Sequence, residues 1–272
     1  MYNDFYNFQE NPFSITPDPH FFFSSSHHTE AISHLVYGIE QRKGIILVTG
    51  EIGTGKTTIC RTLLSRLGET TKTALILNPS FSDLQLLQFI LNDYGILPTA
   101  KNKFSLISTL NTFLLEQTTR GNNVVLIIDE AQNLSVRQLE QIRLLSNLET
   151  EKQKLLQIVL MGQPELCQKL KLPALRQLNQ RIGVRFHLMP LTKEDINNYI
   201  HHRIAVATGE AKNQNSLSFT NKALNRIFEI SEGTPRVINI ICDRALLAGF
   251  AHELETIDED IILQCAREVK GT

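Results

Sequence analysis

Gly50-Glu51-Ile52-Gly53-Thr54-Gly55-Lys56-Thr57 is the stretch on which the reading of this chain turns. It fits GxxxxGK[ST], and the flanks are those the pattern requires: an apolar run at Ile45–Thr49 before it, and Leu63, Leu64 and Leu67 at helical spacing after it. Glycines let a backbone wrap an anion closely with its N–H groups turned inward. The helix that starts there offers its positive end to the same charge. A lysine placed like Lys56 reaches the β- and γ-phosphates, and a hydroxyl placed like Thr57 coordinates magnesium. Gly50–Thr57 together with Thr58 is therefore expected to bind ATP and Mg2+. The plainer reading, a glycine turn ahead of a surface helix, is the weaker one.

Outward from this loop, Val124-Val-Leu-Ile-Ile-Asp129-Glu130 is an apolar strand that ends in two acids. Magnesium is a hard ion that prefers oxygen, so Asp129 at the strand's carboxyl end is expected to hold it, often through water. Glu130 is expected to orient and polarise the attacking water. A solvated strand end is the bland alternative, and a phosphate loop upstream in the same sheet weighs against it. The second acid also separates a hydrolase from a protein that only senses nucleotide.

Short apolar runs alternate with helical patterns from Gly44 to Leu188. Strands are expected at Ile45–Thr49, Ala74–Leu77, Val124–Ile128, Leu156–Met161 and Val184–Leu188, with helices between them. Such alternation predicts an α/β fold, a parallel sheet covered by helices on both faces. After Leu188 the pattern turns helical, with Thr192 at an N-cap, Asp195 in the first turn and no convincing strand. Residues 1–190 are thus expected to form a nucleotide-binding core and 191–272 an all-helical lid. The opening thirty residues, rich in aromatics and proline, read as an irregular arm packed on the core. Proline at that density opposes helix and strand alike.

Three arginines, Arg176, Arg181 and Arg185, precede and enter the last strand, and Arg236 follows Gly233-Thr234-Pro235 at the start of a lid helix. An arginine fork can stabilise the charge that builds on a transferring phosphoryl group, worth about 10³–10⁵ in rate. Arg236 is the better placed to reach back to the nucleotide, whereas any one of the others can equally be a surface charge.

The net charge of −1 gives no global pull toward nucleic acid or anionic lipid. Four dispersed cysteines, without a CxxC pair, read as small apolar groups in a reducing compartment. No secretory leader and no run of about 20 apolar residues is visible, so a cytoplasmic location is expected.

Taken together, the motifs resemble the AAA+ superfamily and, within it, the ExeA family (general secretion pathway protein A). The likeness runs nearly end to end. It rests on Met1-Tyr with Pro12-Phe13-Ser14 and Pro17-Asp18-Pro19, on His28-Thr-Glu30-Ala31, and on the phosphate loop. Asp129-Glu130-Ala131-Gln132, Gly162-Gln163-Pro164-Glu165-Leu166, Arg176–Ile182, Gly233–Asn239 and Cys242–Leu247 extend it. The resemblance implies an αβα nucleotide domain with a small helical lid, assembled into a ring-like homo-oligomer with ATP at subunit interfaces. It aligns Arg236 with the sensor 2 arginine and puts Gln163 where a polar sensor 1 residue lies. Arg181 is the preferred finger acting on a neighbouring subunit, with Arg176 second. Secretion members continue into a transmembrane helix and a periplasmic region, whereas this sequence ends at Thr272. It is expected to be a truncation or a short member, reaching the inner membrane only through a partner or a further segment.

The leading reading is an energy-coupling ATPase that helps assemble or operate a cell-envelope machine for secretion, pili or polymer export. The alternative is a DNA-transaction ATPase resembling transposon target-selection proteins, disfavoured because the basic residues look dispersed. A nucleotide-gated scaffold with negligible turnover is the third. Among the histidines, His28 is expected to pack near the adenine or to cap the helix from Thr29, and His201-His202 to lie on a solvated helix face. The Phe21–Phe23 run is expected to fill core.

Overall fold

The structure, a computed structural model, describes residues 2–98, 102–151, 153–209 and 217–270. Met1 of the opening motif and the terminal Thr272 lie outside them. The chain divides into two compact units, one of Thr29–Ile52 with Ile59–Leu188, the other of Met1–His28 and Gly53–Thr58 with Met189–Thr272.

The first unit is a five-stranded sheet: β1 (Ile45–Gly50), β2 (Thr71–Ile76), β3 (Asn123–Ile128), β4 (Gln157–Gly162) and β5 (Ile182–Leu188). Every pairing is parallel, in the order β2-β3-β4-β1-β5. Position in the sheet follows from side-chain pattern. The β1 and β4 strands are buried along their whole length and β3 along all but its first residue, as central strands covered on both faces must be. In β2 and β5 burial alternates, and these are the two edges.

One continuous apolar core lines the sheet, with Leu86, Leu87 and Ile90 from helix Asp83–Asp93 and Leu106, Leu110 and Leu114 from helix Lys103–Thr119. Ser82 with Gln85 and Ser135 with Gln138 close capping boxes that start two of the covering helices. All five expected strands form, each within a few residues of its expected bounds. The short helix Arg176–Gln180 was not expected; at five residues it is too brief to carry a periodicity.

The second unit is built on the helices Lys193–Thr208, Asn221–Ser231, Pro235–Ala251 and Glu259–Lys270. Thr192 is the expected N-cap, and with Asp195 it also closes a capping box. Two-residue strands β6 (Ser218–Phe219) and β7 (Thr256–Ile257) pair in parallel, correcting the expectation of a strand-free lid. Segments that short leave no alternation to detect.

The aromatic arm belongs to this unit: Tyr6, Phe8, Phe13 and Phe21 are buried in one cluster with Ile196, Ile200, Ile238 and Ile241. Arg203 fastens it. Its guanidinium binds the Pro12 and Ser14 carbonyls and lies 4.6 Å from the centroid of the Phe21 ring, so a buried cation is satisfied without a carboxylate. Tyr2 and Asn11 add bonds to Asp243. The arm is not wholly irregular, since Tyr2–Phe5 makes a helical turn and Pro19–Phe21 a 3-10 turn capped by Asp18. Pro19 stands at the first turn position, where its missing N–H costs nothing.

Candidate functional site

The phosphate loop leaves β1 at Gly50 and enters helix Lys56–Arg66, with Gly53 at φ +82° and Gly55 at φ +100°. Both angles disfavour a side chain, and so does the space. A Cβ on Gly53 would stand 2.7 Å from the Arg236 Cβ, and one on Gly55 would stand 3.1 Å from the His28 Nε2. Thr54 and Lys56 are buried, Thr57 and Thr58 partly so, while Glu51 and Ile52 are exposed.

Two groups from distant sequence grip the loop by its carbonyls. The Arg236 backbone N–H donates to the Gly53 carbonyl at 3.2 Å, and the His28 Nε2 lies 3.0 Å from the Thr54 carbonyl. A carbonyl can only accept, so the His28 proton is on Nε2. The Nδ1 then accepts from the Ser25 hydroxyl at 2.7 Å. Burial lowers the pKa of His28, against the opposing pull of the Thr54 carbonyl and Asp195, which keeps the ring neutral near pH 7.

His28 therefore does not cap the helix from Thr29. Helix Ser26–Glu40 already contains it, and the cap is Ser25, whose hydroxyl accepts from the His28 N–H at 3.3 Å. His202 likewise is not fully solvated, since it packs on Phe23 at 5.7 Å and burial lowers its pKa.

The carboxylate pair sits at the carboxyl edge of the sheet. Asp129 is buried, its N–H continues the ladder to the Ile76 carbonyl at 2.8 Å, and its Oδ1 accepts from the Glu130 N–H at 2.9 Å. Glu130 is held at φ +52°, ψ +37°, a left-handed conformation that turns the chain sharply into the 3-10 turn Ala131–Asn133. Its Oε2 accepts from the Gln132 Nε2 at 2.5 Å and the Gln163 Nε2 at 3.3 Å.

Gln163 precedes helix Pro164–Leu170 but caps nothing with its side chain, which leaves the amide for Glu130. Gln163 is thus brought to Glu130. Gln132 belongs to the Asp129-Glu130-Ala131-Gln132 motif, but no periodicity or charge in the sequence marks its side chain as a partner of Glu130. The same holds for His28 as a partner of Thr54.

Arg176, Arg181 and Arg185 are all exposed. Arg185 is engaged by Asn179, through both its carbonyl and its side chain at 2.7 Å. The guanidinium groups of Arg176, Arg181 and Arg236 make no hydrogen bond or ion pair among the described residues. Cys60, Cys242 and Cys265 are buried free thiols, and burial pushes Cys60 up to about 12, which makes it inert.

The loop suits a polyphosphate: its two glycines take conformations that only a bare backbone adopts cheaply, at the N-terminus of a helix whose first residue is a buried lysine. Thr57 and Asp129 are hydroxyl and carboxylate oxygens, the donor type magnesium takes alongside phosphate and water. No helix among the described residues is long and apolar enough to cross a membrane.

Residues 39–170 match the AAA domain family. The whole chain is similar to general secretion pathway protein A of Aeromonas hydrophila, at 45% identity over 273 residues, and it spans about half of that relative, 49% of its length. Among solved structures it resembles the Aeropyrum pernix ORC2 protein in its ADPNP-ADP complexes at 13% identity and a TM-score of 0.66, over 93% of this chain and 72% of that one. Cdc6p from Pyrobaculum aerophilum matches at 17% and 0.66, over 98% and 71%. The Thermotoga maritima RuvB Holliday junction branch migration motor matches at 19% and 0.58, over 91% and 70%. At such identities the structural likeness is one of fold.

Proposed function

We propose, for a chain whose residues 39–170 match the AAA domain family and which is like general secretion pathway protein A along its length, that it hydrolyses ATP with magnesium to drive a secretion machine of the cell envelope. Lys56 and the loop amides of Gly53–Thr57 bind the phosphates, with Gly50, Glu51, Ile52 and Thr58 completing the cradle. Thr57 and Asp129 hold magnesium, which supplies charge neutralisation on the phosphate oxygens when bound. Glu130 accepts a hydrogen bond from the attacking water. The water oxygen joins the γ-phosphorus as the bond to the β,γ-bridging oxygen breaks, the water's proton passes to Glu130 and on to the released phosphate, and Lys56 neutralises the charge that builds on the oxygen leaving with ADP.

The observation that supports turnover best is the state of Glu130. One of its carboxylate oxygens is bonded twice to amides, and its other oxygen, Oε1, has no hydrogen bond among the described residues. A carboxylate held by one oxygen presents the other in a single direction, which is what orienting a water requires. The deciding measurement is steady-state ATPase with and without magnesium, beside nucleotide affinity. Glu130→Gln retains binding and loses turnover; equal turnover in Glu130→Gln and wild type defeats the assignment.

Arg236 is assigned to sensing the γ-phosphate from the lid, and Gln163 to the same task beside Glu130. Arg181, exposed and making no hydrogen bond or ion pair among the described residues, is the finger we assign to the neighbouring subunit of a ring-like homo-oligomer, with Arg176 second. If so, ATPase per subunit rises with protein concentration and Arg181→Ala abolishes the rise. A specific activity independent of concentration counts against it. The secretion role follows from the likeness to general secretion pathway protein A, and its physical counterpart is an envelope-assembly partner at the inner membrane that reads the lid's nucleotide-dependent packing. The DNA-transaction reading gains nothing from relatives by fold at 13–19% identity.

A further inference from the structure

We infer that Gln132 is a positioning residue for ATP hydrolysis: its side-chain amide clamps one oxygen of Glu130 so that the other faces the attacking water. The inference rests on the hydrolytic role proposed for Glu130.

Four observations on separate residues meet at this amide. The Gln132 Nε2 donates to the Glu130 Oε2 at 2.5 Å, while its Oε1 accepts from the Gln163 N–H at 3.1 Å. Both ends of the amide are thus spoken for, which fixes its orientation: the donor must face the carboxylate and cannot flip. The backbone beneath it is anchored by Lys169, whose ammonium donates to the Gln132 carbonyl at 2.5 Å and the Leu134 carbonyl at 2.8 Å.

The space is shaped for it as well. A Cβ on Gly162 would stand 2.8 Å from the Gln132 Oε1, so the last residue of β4 has to be glycine for the amide to lie there. The second donor, the Gln163 Nε2, is the longer bond at 3.3 Å, which leaves Gln132 as the main restraint.

A general base contributes about 10²–10⁴ in rate, and a misplacement of about 1 Å forfeits on the order of 10². Gln132→Ala removes the clamp. Gln132→Glu keeps its shape, removes the donor and sets a like charge beside Glu130. The measurements are kcat, affinity for a fluorescent ATP analogue and thermal midpoint, for both variants, for Glu130→Gln and for the Glu130→Gln/Gln132→Ala pair.

The expected result is a fall in kcat of about 10- to 100-fold in both single variants. Nucleotide affinity stays within about two-fold, because the amide touches the carboxylate rather than the phosphate loop, and the midpoint of Gln132→Ala falls by only about 2–4 °C with the lost bond to the Gln163 N–H. In the pair, Gln132→Ala adds nothing to the loss from Glu130→Gln, since it acts only through that carboxylate.

Wild-type kcat in Gln132→Glu and Gln132→Ala beside an inactive Glu130→Gln overturns the inference and leaves the Glu130 reading standing. A parallel collapse of affinity and midpoint in Gln132→Ala also overturns it, by making the residue structural. Wild-type turnover in Glu130→Gln removes the reading itself.

Discussion

The phosphate loop and the carboxylate edge are held in place by opposite means. Around the loop the restraints fall on backbone: the His28 ring takes the Thr54 carbonyl and the Arg236 N–H takes the Gly53 carbonyl. Around Glu130 they fall on the side chain, through the amides of Gln132 and Gln163. A binding loop has to fix the direction of several N–H groups at once, so holding the chain itself serves it. A base has to fix one oxygen, so holding the carboxylate serves it. The comparison predicts that damage to the first group is read in affinity and damage to the second in turnover.

The sharpest test pairs the two motif residues themselves. Lys56→Ala is expected to lower ATP affinity by at least 10²-fold, by losing a charge-assisted contact to phosphate worth about 1.5–3 kcal/mol together with the loop's charge balance. Glu130→Gln is expected to bind ATP as wild type does and to lose at least 10²-fold in kcat. Isothermal titration and steady-state ATPase separate them; a loss of ATP affinity in Glu130→Gln as large as that in Lys56→Ala breaks the comparison.

Gly55→Ala comes next. The added methyl meets a left-handed φ and stands 3.1 Å from the His28 Nε2, so either the ring or the loop has to shift. We expect about ten-fold weaker ATP binding, with kcat at saturation much less affected. His28→Ala removes one hydrogen bond to the Thr54 carbonyl, at about 0.5–1.5 kcal/mol. Its expected mark is likewise on affinity. A His28→Ala enzyme whose only loss is in kcat would put the ring on the catalytic side of the comparison.

The smallest expected effect is on pH. Because burial lowers the His28 pKa, the unfolded chain takes up its proton at a higher pH than the folded one. The stability tied to the neutral ring is complete above about 6.5 and is lost as pH falls below it toward the lowered value. Ser25, Thr54 and Phe22 face the ring, with His27 opposing and Asp195 favouring its charge. His202, lowered by burial too, adds to the same slope. Urea midpoints between pH 7.5 and 5.5 should fall, and His28→Asn should flatten part of the fall. An unaltered slope in that variant shows that the ring is not the titrating group.

Much of this was legible without coordinates. The strands and the main helices of the sheet unit follow from apolar runs and caps, and Gly53, Gly55, Lys56, Thr57, Asp129 and Glu130 follow from motifs in which chemistry fixes the spacing. The parts that were not legible are short or distant. Strands β6 and β7 have two residues each, and the Arg176–Gln180 helix has five. The arm's partners lie far along the chain, where Arg203 meets Pro12 and Ser14.

By itself, the sequence determined what depends on neighbours along the chain: the alternation that makes a covered parallel sheet, the glycine-lysine-threonine loop and the strand-end acids. Local spacing sets periodicity and motif chemistry alike. Tertiary structure alone decided which amide restrains Glu130, which imidazole restrains Thr54, that Gly162 is bare to admit Gln132, and that the aromatic arm shares a core with the helical unit. Those are contacts between residues tens to hundreds of positions apart, or between side chains whose direction a turn such as that at Glu130 sets. No linear pattern encodes a direction in space.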